Sequence, residues 1–238
     1  MKDGSSKDFN ECITCSRSPD HCDYTPEILG AIRSGLRTTV STDLSVTRIL
    51  GEPRQRIIET KYKYRVLPRR NWVALRGTII HAVLERGAHK SAMTEVSDFR
   101  NLHINGEELP LWGKCDLLVP IAKLICDYKS VARIPSADNP KSYGTHDLQL
   151  NAYRWLWTPH YEIDKLRLVY LDMQDVRRVK VELMPLDEVE NTLIQKASAF
   201  LKPLRAGVIP SDEYSSKKWQ CRYCDVSDIC KELNREGK

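Results

Sequence analysis

Two carboxylates and a lysine stand where strand-forming sequence should be apolar. In Leu124-Ile-Cys-Asp-Tyr-Lys-Ser130 an apolar run reads as a strand entering a core, and Asp127 and Lys129 interrupt it. Strand side chains alternate faces, so residues 127 and 129 point the same way. Upstream, Gly113-Lys-Cys-Asp116 places a second carboxylate in the strand pattern Leu109–Val119. Pro120-Ile-Ala122 reads as a hairpin connection that brings Asp116 towards Asp127. Converging carboxylates make an oxygen-rich site of the kind preferred by Mg²⁺ or Mn²⁺. An ammonium beside them can orient a metal-bound water or help deprotonate it, and offsets the charge that builds on a phosphodiester under attack.

Asp-x-Lys alone is a common tripeptide, and as a surface ion pair it contributes less than about 1 kcal/mol. Its neighbours give it weight. Gly77-Thr-Ile-Ile-His81 puts a histidine on a helix preceding the strands, and Gln149 and Tyr153 lie one helical turn apart in His146-Asp-Leu-Gln-Leu-Asn-Ala-Tyr153.

Across residues 77–153, the series Gly-x-x-x-His, Gly-x-x-Asp, Asp-Tyr-Lys-Ser and Gln-x-x-x-Tyr resembles the RecB-type branch of the PD-(D/E)XK nucleases. With cysteines at both chain ends, it is similar to the CRISPR-associated and helicase-linked iron–sulfur nucleases of that branch. The resemblance implies an α/β (α+β) restriction-endonuclease-like core, a central mixed β-sheet flanked by helices. It implies that His81, Asp116 and Asp127, with the backbone carbonyl of Tyr128, hold Mg²⁺ or Mn²⁺. Lys129 would position the attacking water, and Gln149 and Tyr153 would support the site and the DNA strand. Asp127 stands where the family usually has Glu. The implied substrate is DNA, cut preferentially as single strands from an end. The implied partner is a helicase or a CRISPR integrase; no Walker phosphate-binding motif is present to drive unwinding in this chain.

Six of the eight cysteines fall in two clusters, Cys12, Cys15 and Cys22 at one end and Cys221, Cys224 and Cys230 at the other. Such clusters usually ligate metal. The C-terminal three resemble the cysteine motif of the iron–sulfur nucleases, whose fourth ligand is a cysteine upstream of the core, often followed by Pro-Arg. Here the corresponding stretch reads Gly51-Glu-Pro-Arg54 and lacks it. One of Cys12, Cys15 and Cys22 then completes a 4Fe–4S cluster joining the chain ends; zinc held by any four of these ligands is the alternative. Cys115 and Cys126 sit singly in strand patterns and read as small core residues.

The elements that must position these groups follow from periodicity. Helix patterns cover about 46–60, bent at Gly51 and Pro53, then Leu75 to Ala88, with Ile79, Ile80, Val83 and Leu84 as the apolar side, Asp147 to Leu156, and 186–206 ended by Gly207. Strand patterns cover 109–119, 123–131, 165–172 and 176–184. Residues 1–10 show no periodicity and read as unstructured. The division expected is an N-terminal cysteine segment over 1–40, the nuclease domain over 41–210 and a C-terminal cysteine segment over 211–238.

The chain's 238 residues, 41% hydrophobic and 29% charged, suit one large domain with an appendage. No apolar run reaches the length of a membrane span, and no secretory leader pattern is visible, so a cytoplasmic protein, prokaryotic or phage-encoded, is expected. The net charge of +5 permits a polyanionic partner without requiring one. Basic residues cluster in 61–70 and 175–180. Trp112, Trp155, Trp157 and Tyr143 are able to stack on unpaired bases, but core packing is the expected role of most of them. Two other classes compete with the nuclease: a DNA-binding or adaptor subunit without cleavage, and a metal-stabilised interaction domain.

Overall fold

The computed structural model describes residues 8–17, 24–35, 43–64, 68–136, 142–143, 145–211, 221 and 224–236. The chain forms two compact units, one of Met1–Ser41, Ile58–Ile79 and Ser215–Lys238, the other of Thr42–Ile57 and Ile80–Tyr214.

Helices α1 (Phe9–Cys15) and α2 (Pro26–Gly35) belong to the first unit, as does the C-terminal helix α8 (Ser227–Glu236). Asp8 starts α1 with a capping box: its side chain accepts the Glu11 N–H at 2.8 Å, and the Glu11 carboxylate accepts the Asp8 N–H at 3.2 Å. Residues 8–10 are therefore ordered as a helix start, against the expectation for 1–10; residues 1–7 lie outside the described residues. Among the described residues, Leu29, Ile32, Ile58 and Val226 are the buried apolar side chains of this unit.

The second unit is built on a five-stranded mixed sheet in the order β1-β2-β3-β4-β5, namely Met93–Ile104, Glu107–Val119, Leu124–Ser130, Lys165–Leu171 and Val176–Val181. All neighbours are antiparallel except β3 and β4. That parallel pair requires a crossover, which α6 (His146–Trp157) supplies. A 3₁₀ turn, Pro120–Ala122, joins β2 to β3 as the sequence indicates. Helix α7 (Leu186–Arg205) packs Val189, Leu193, Ala197 and Phe200 into the same core as Leu150, Trp155 and Leu156 of α6. It ends at Gly207, whose φ of 68° suits a residue without a Cβ. The break at Gly51 and Pro53 separates α3 (Val46–Ile49) from α4 (Pro53–Lys61).

Two sequence expectations need correction. Strand β1 was not among the expected strands. Its inward positions include Asp98 and Arg100, which obscure the alternation; Asp98 lies 3.0 Å from His160, and Arg100 stacks on Trp155 at 4.2 Å. The second correction concerns α5 (Pro68–Arg86), which begins about two turns earlier than expected. Ile79 and Val83 are exposed, because the face bearing His81, Leu84 and Glu85 is the one that lines the cleft. Residues 65–67 of the basic run lie outside the described residues.

Candidate active site

The site forms where two paired strands part. β2 and β3 pair through Val119↔Leu124, Leu118↔Ile125 and Leu117↔Cys126, and the ladder stops there. The next opposed residues in that register are Asp116 and Asp127. Beyond the fork β3 lacks β2 as a partner, and Asp116 takes that role: its Oδ2 accepts the Tyr128 N–H at 2.6 Å. A buried backbone donor is satisfied by a carboxylate instead of a carbonyl, which fixes the Asp116 side chain.

On the other side of β2, Thr94↔Leu117 and Val96↔Cys115 bracket Glu95, so that Glu95 stands opposite Asp116. Glu95 has a φ of 52°, the left-handed region, in mid-strand. Such a conformation costs about 1–3 kcal/mol in a residue other than glycine and persists only where the surrounding structure holds it. From the C-terminal half of α5, His81 directs Nδ1 towards Asp116 Oδ1 at 3.3 Å and Glu95 Oε1 at 3.7 Å, and its Nε2 lies 3.1 Å from the Tyr128 carbonyl. Ligand atoms of His81, Glu95 and Asp116 lie within 4.8 Å of one another.

The electrostatics of this cluster is that of a cation site. The hydrogen bond to Asp116 raises the His81 pKa against the opposing effect of burial, and the charges of Asp116, Glu95 and Asp127 add to the rise. Burial pushes the Asp127 carboxyl up to about 6; the Asp116 charge adds to this, while Lys129 and His81 oppose it. Lys129 Nζ lies 2.7 Å from Asp127 Oδ2, yet that buried oxygen has no aligned hydrogen bond. The contact is therefore an ion pair, and the oxygen has capacity for a further ligand beside the ammonium. The two carboxylates and the imidazole of the His81, Glu95 and Asp116 trio, with the Tyr128 carbonyl beside His81, form a hard donor set, which fits Mg²⁺ or Mn²⁺; Asp127 is not one of the three converging groups.

Lys129 is oriented from α6. Its ammonium donates to Gln149 Oε1 at 3.0 Å, and Gln149 Nε2 donates to the Tyr153 hydroxyl at 2.7 Å. Gln149 and Tyr153, one turn apart, thus form a chain ending on Lys129. Gly113 sets the approach of α6: a Cβ there would lie 2.2 Å from Leu156 Cδ1 and 3.2 Å from the Tyr153 ring. The glycine of the Gly-x-x-Asp motif therefore lets α6 close on β2.

The structure thus gathers His81, Asp116, Asp127, Tyr128, Lys129, Gln149 and Tyr153 in one place and adds Glu95, which sequence reasoning missed. The signal that could have found it was Asn105-Gly106, a two-residue hairpin turn with φ of 52° and 83°. It implied a partner strand on the N-terminal side of β2. Cys115 and Cys126 are buried thiols pushed up to about 12 by burial, hence protonated core residues as expected. Trp155 and Trp157 are core residues too, whereas Trp112 and Tyr143 are exposed.

Of the metal-type cysteines, Cys22 lies outside the described residues. Cys12 and Cys15 share α1 at a spacing that puts both on one side of it. The Cys224 N–H reaches the Cys221 carbonyl at 3.4 Å, and Cys230 is in the first turn of α8. Burial raises the Cys224 pKa, and the charges of Glu59, Cys221 and Cys230 add to it.

A fork of opposed carboxylates with a lysine two residues along the second strand, on a mixed sheet, is the arrangement of a nuclease core. A family model of the PD-(D/E)XK nuclease superfamily matches residues 87–231, more than half of the chain. The chain belongs to the PD-(D/E)XK nuclease superfamily. It is 25% identical over 191 residues to the CRISPR-associated exonuclease Cas4 of Saccharolobus solfataricus, covering 78% of this chain and 85% of that protein. The crystal structure of SSO0001 superposes with a TM-score of 0.65 at 21% identity, over 85% of this chain and 93% of that one, and shares the fold. Among the described residues, no helix is long and apolar enough to cross a membrane.

Proposed function

We propose that this protein is a Mg²⁺- or Mn²⁺-dependent DNA nuclease that cuts phosphodiester bonds at the β2–β3 fork, acting preferentially on single-stranded ends. The observation that carries this reading is Asp127. It is a carboxylate 2% exposed, opposite Asp116 and 2.7 Å from Lys129. A charge is not buried so unless a partner compensates it.

His81, Glu95, Asp116, Asp127 and the Tyr128 carbonyl would hold the ion. The ion would supply Lewis-acid stabilisation of the phosphate and a water of lowered pKa. The protein's own groups do the positioning. Gln149 holds the Lys129 ammonium beside Asp127, where it can hold a nucleophilic water and face the charge gathering on phosphate oxygens. Tyr153 fixes the orientation of Gln149, so that its amide oxygen rather than its nitrogen faces Lys129. The α5 backbone holds the imidazole against the carboxylates.

The cysteines at both ends would bind a 4Fe–4S cluster, with zinc as the alternative, in a structural role: a site that ligates both ends contributes its binding energy to folding. Cluster thiolates sit on different irons, so they need not converge as ligands of one ion do. The likeness to a CRISPR-associated exonuclease supports a role in CRISPR adaptation or in recombination and repair, with a helicase or integrase as partner, in the cytoplasm of a prokaryote or a phage host.

The test is incubation of the full chain, its cysteine-bound metal intact, with end-labelled single- and double-stranded DNA in Mg²⁺, Mn²⁺ or EDTA. Metal-dependent shortening from one end, faster on single strands, is expected. Binding without cutting in either metal would reassign the chain as a DNA-binding subunit.

A further inference from the structure

The face of the β1–β2 ribbon that carries Glu95 and Asp116 continues beyond them. The next pairs on that face are Ser97↔Lys114 and then Phe99↔Trp112. The opposite face carries Leu102, Leu111 and Cys115, all buried. Phe99 and Trp112 are instead 48% and 44% exposed, with ring centroids 4.7 Å apart and planes inclined at 36°. The platform is held firmly. Trp112 pairs with β1 on one side, and on the other its N–H donates to the Leu44 carbonyl at 3.0 Å, next to a bridge with Ser45. A pre-ordered aromatic surface loses little entropy when something stacks on it.

We infer that the Phe99–Trp112 pair is a stacking platform for an unpaired DNA strand whose scissile phosphate lies at the carboxylate fork. The inference rests on the nuclease reading and adds where the strand runs outside the reaction centre. Three observations select this occupant. The pair shares face and register with Glu95 and Asp116, four residues along the strands. That is about 13 Å, or about four nucleotide steps at B-form rise and fewer in a stretched strand. Lys114 lies between them on the same face, ion-paired with Glu95 yet with its side chain 56% exposed, and so brings a cation within reach of the intervening phosphates. Stacking on an aromatic ring needs a base with a free face, which a duplex does not offer, so the platform selects unpaired strands. An apolar protein partner fits less well, because polar Asn101, His103 and Glu108 follow on the outer side.

The test is binding of labelled oligothymidine and of a labelled duplex to the full chain in EDTA, where no cutting occurs. Trp112→Ala and Phe99→Ala should each weaken single-strand binding about fivefold or more, the lower end of one stacked base. Duplex binding should be unchanged, Trp112→Phe should restore most of the loss, and far-UV circular dichroism should match wild type throughout. Equal losses on both DNAs, no loss, or no single-strand binding by wild type would overturn the platform. So would dissociation of an oligomer by Trp112→Ala, which would make this face a contact between copies. Because the readout is metal-free binding, loss of the single-strand preference in a protein that cuts nothing would leave the platform standing and remove the nuclease reading alone.

Discussion

Asp127 concentrates the physics of the site in a single side chain. Its burial would be destabilising in a protein without a use for it, and Lys129 compensates it only in part. Lys129→Ala should therefore reduce cleavage by about 10²-fold or more, the usual effect of losing a positioned charge, while the folded content seen by circular dichroism is retained. Cleavage within a few-fold of wild type would remove Lys129 from the mechanism. Glu95→Gln keeps shape and removes one negative charge beside His81 and Asp116; the Mn²⁺ concentration for half-maximal cleavage should rise, as a direct titration would show. The carboxylates at 116 and 127 were legible in the sequence because charges broke an apolar run. Glu95 was not, because it sits in a strand whose inward positions Asp98 and Arg100 are themselves charged and pair with His160 and Trp155.

Elements bring these residues together through register and close approach. The hairpin around Pro120–Ala122 was legible from its turn residues, and with it the opposition of Asp116 and Asp127. The stop of the ladder at Leu117↔Cys126 was not, since nothing local marks where two strands separate. Gly113 shows how α6 depends on a missing side chain: Gly113→Ala should destabilise the protein by about 1–3 kcal/mol, the usual effect of overpacking, measurable by urea denaturation. At the junction of α6 and β4, His146 Nδ1 lies 2.9 Å from the Tyr170 hydroxyl, which also accepts the Tyr143 N–H. Burial, aided by the Lys129 charge and opposed by Asp147, pushes the His146 pKa down to about 4. The unfolded chain protonates this residue near its ordinary 6.5 and the folded chain only near 4, so its stability contribution is intact above pH 6.5 and is lost as pH falls towards 4. His146→Gln should flatten the melting temperature between those values; an unchanged acid slope would assign it to other groups.

At the scale of the whole molecule, composition indicated a chain with a core and cysteines too clustered for chance, and the strands and long helices gave the fold class. The cysteine clusters point to the two chain ends lying together, but that residues 58–79 share one compact unit with them was not visible, because it depends on packing between segments far apart in sequence. Anaerobically purified protein should be brown with about four irons per chain; colourless protein with stoichiometric zinc would replace the cluster with the alternative ion. Removing either metal should lower the melting temperature, since its binding energy is coupled to folding.

The central claim, that the fork carboxylates perform metal-dependent cleavage, is tested most directly by Asp127→Asn, which keeps the shape and removes the charge. Cleavage of end-labelled single-stranded DNA by wild type and variant would be followed across a Mn²⁺ titration. The account predicts saturable, EDTA-sensitive cleavage by wild type and a loss of about 10²-fold or more in the variant at every Mn²⁺ concentration. Equal cleavage by the two proteins, or wild-type cleavage that persists in EDTA, would contradict it.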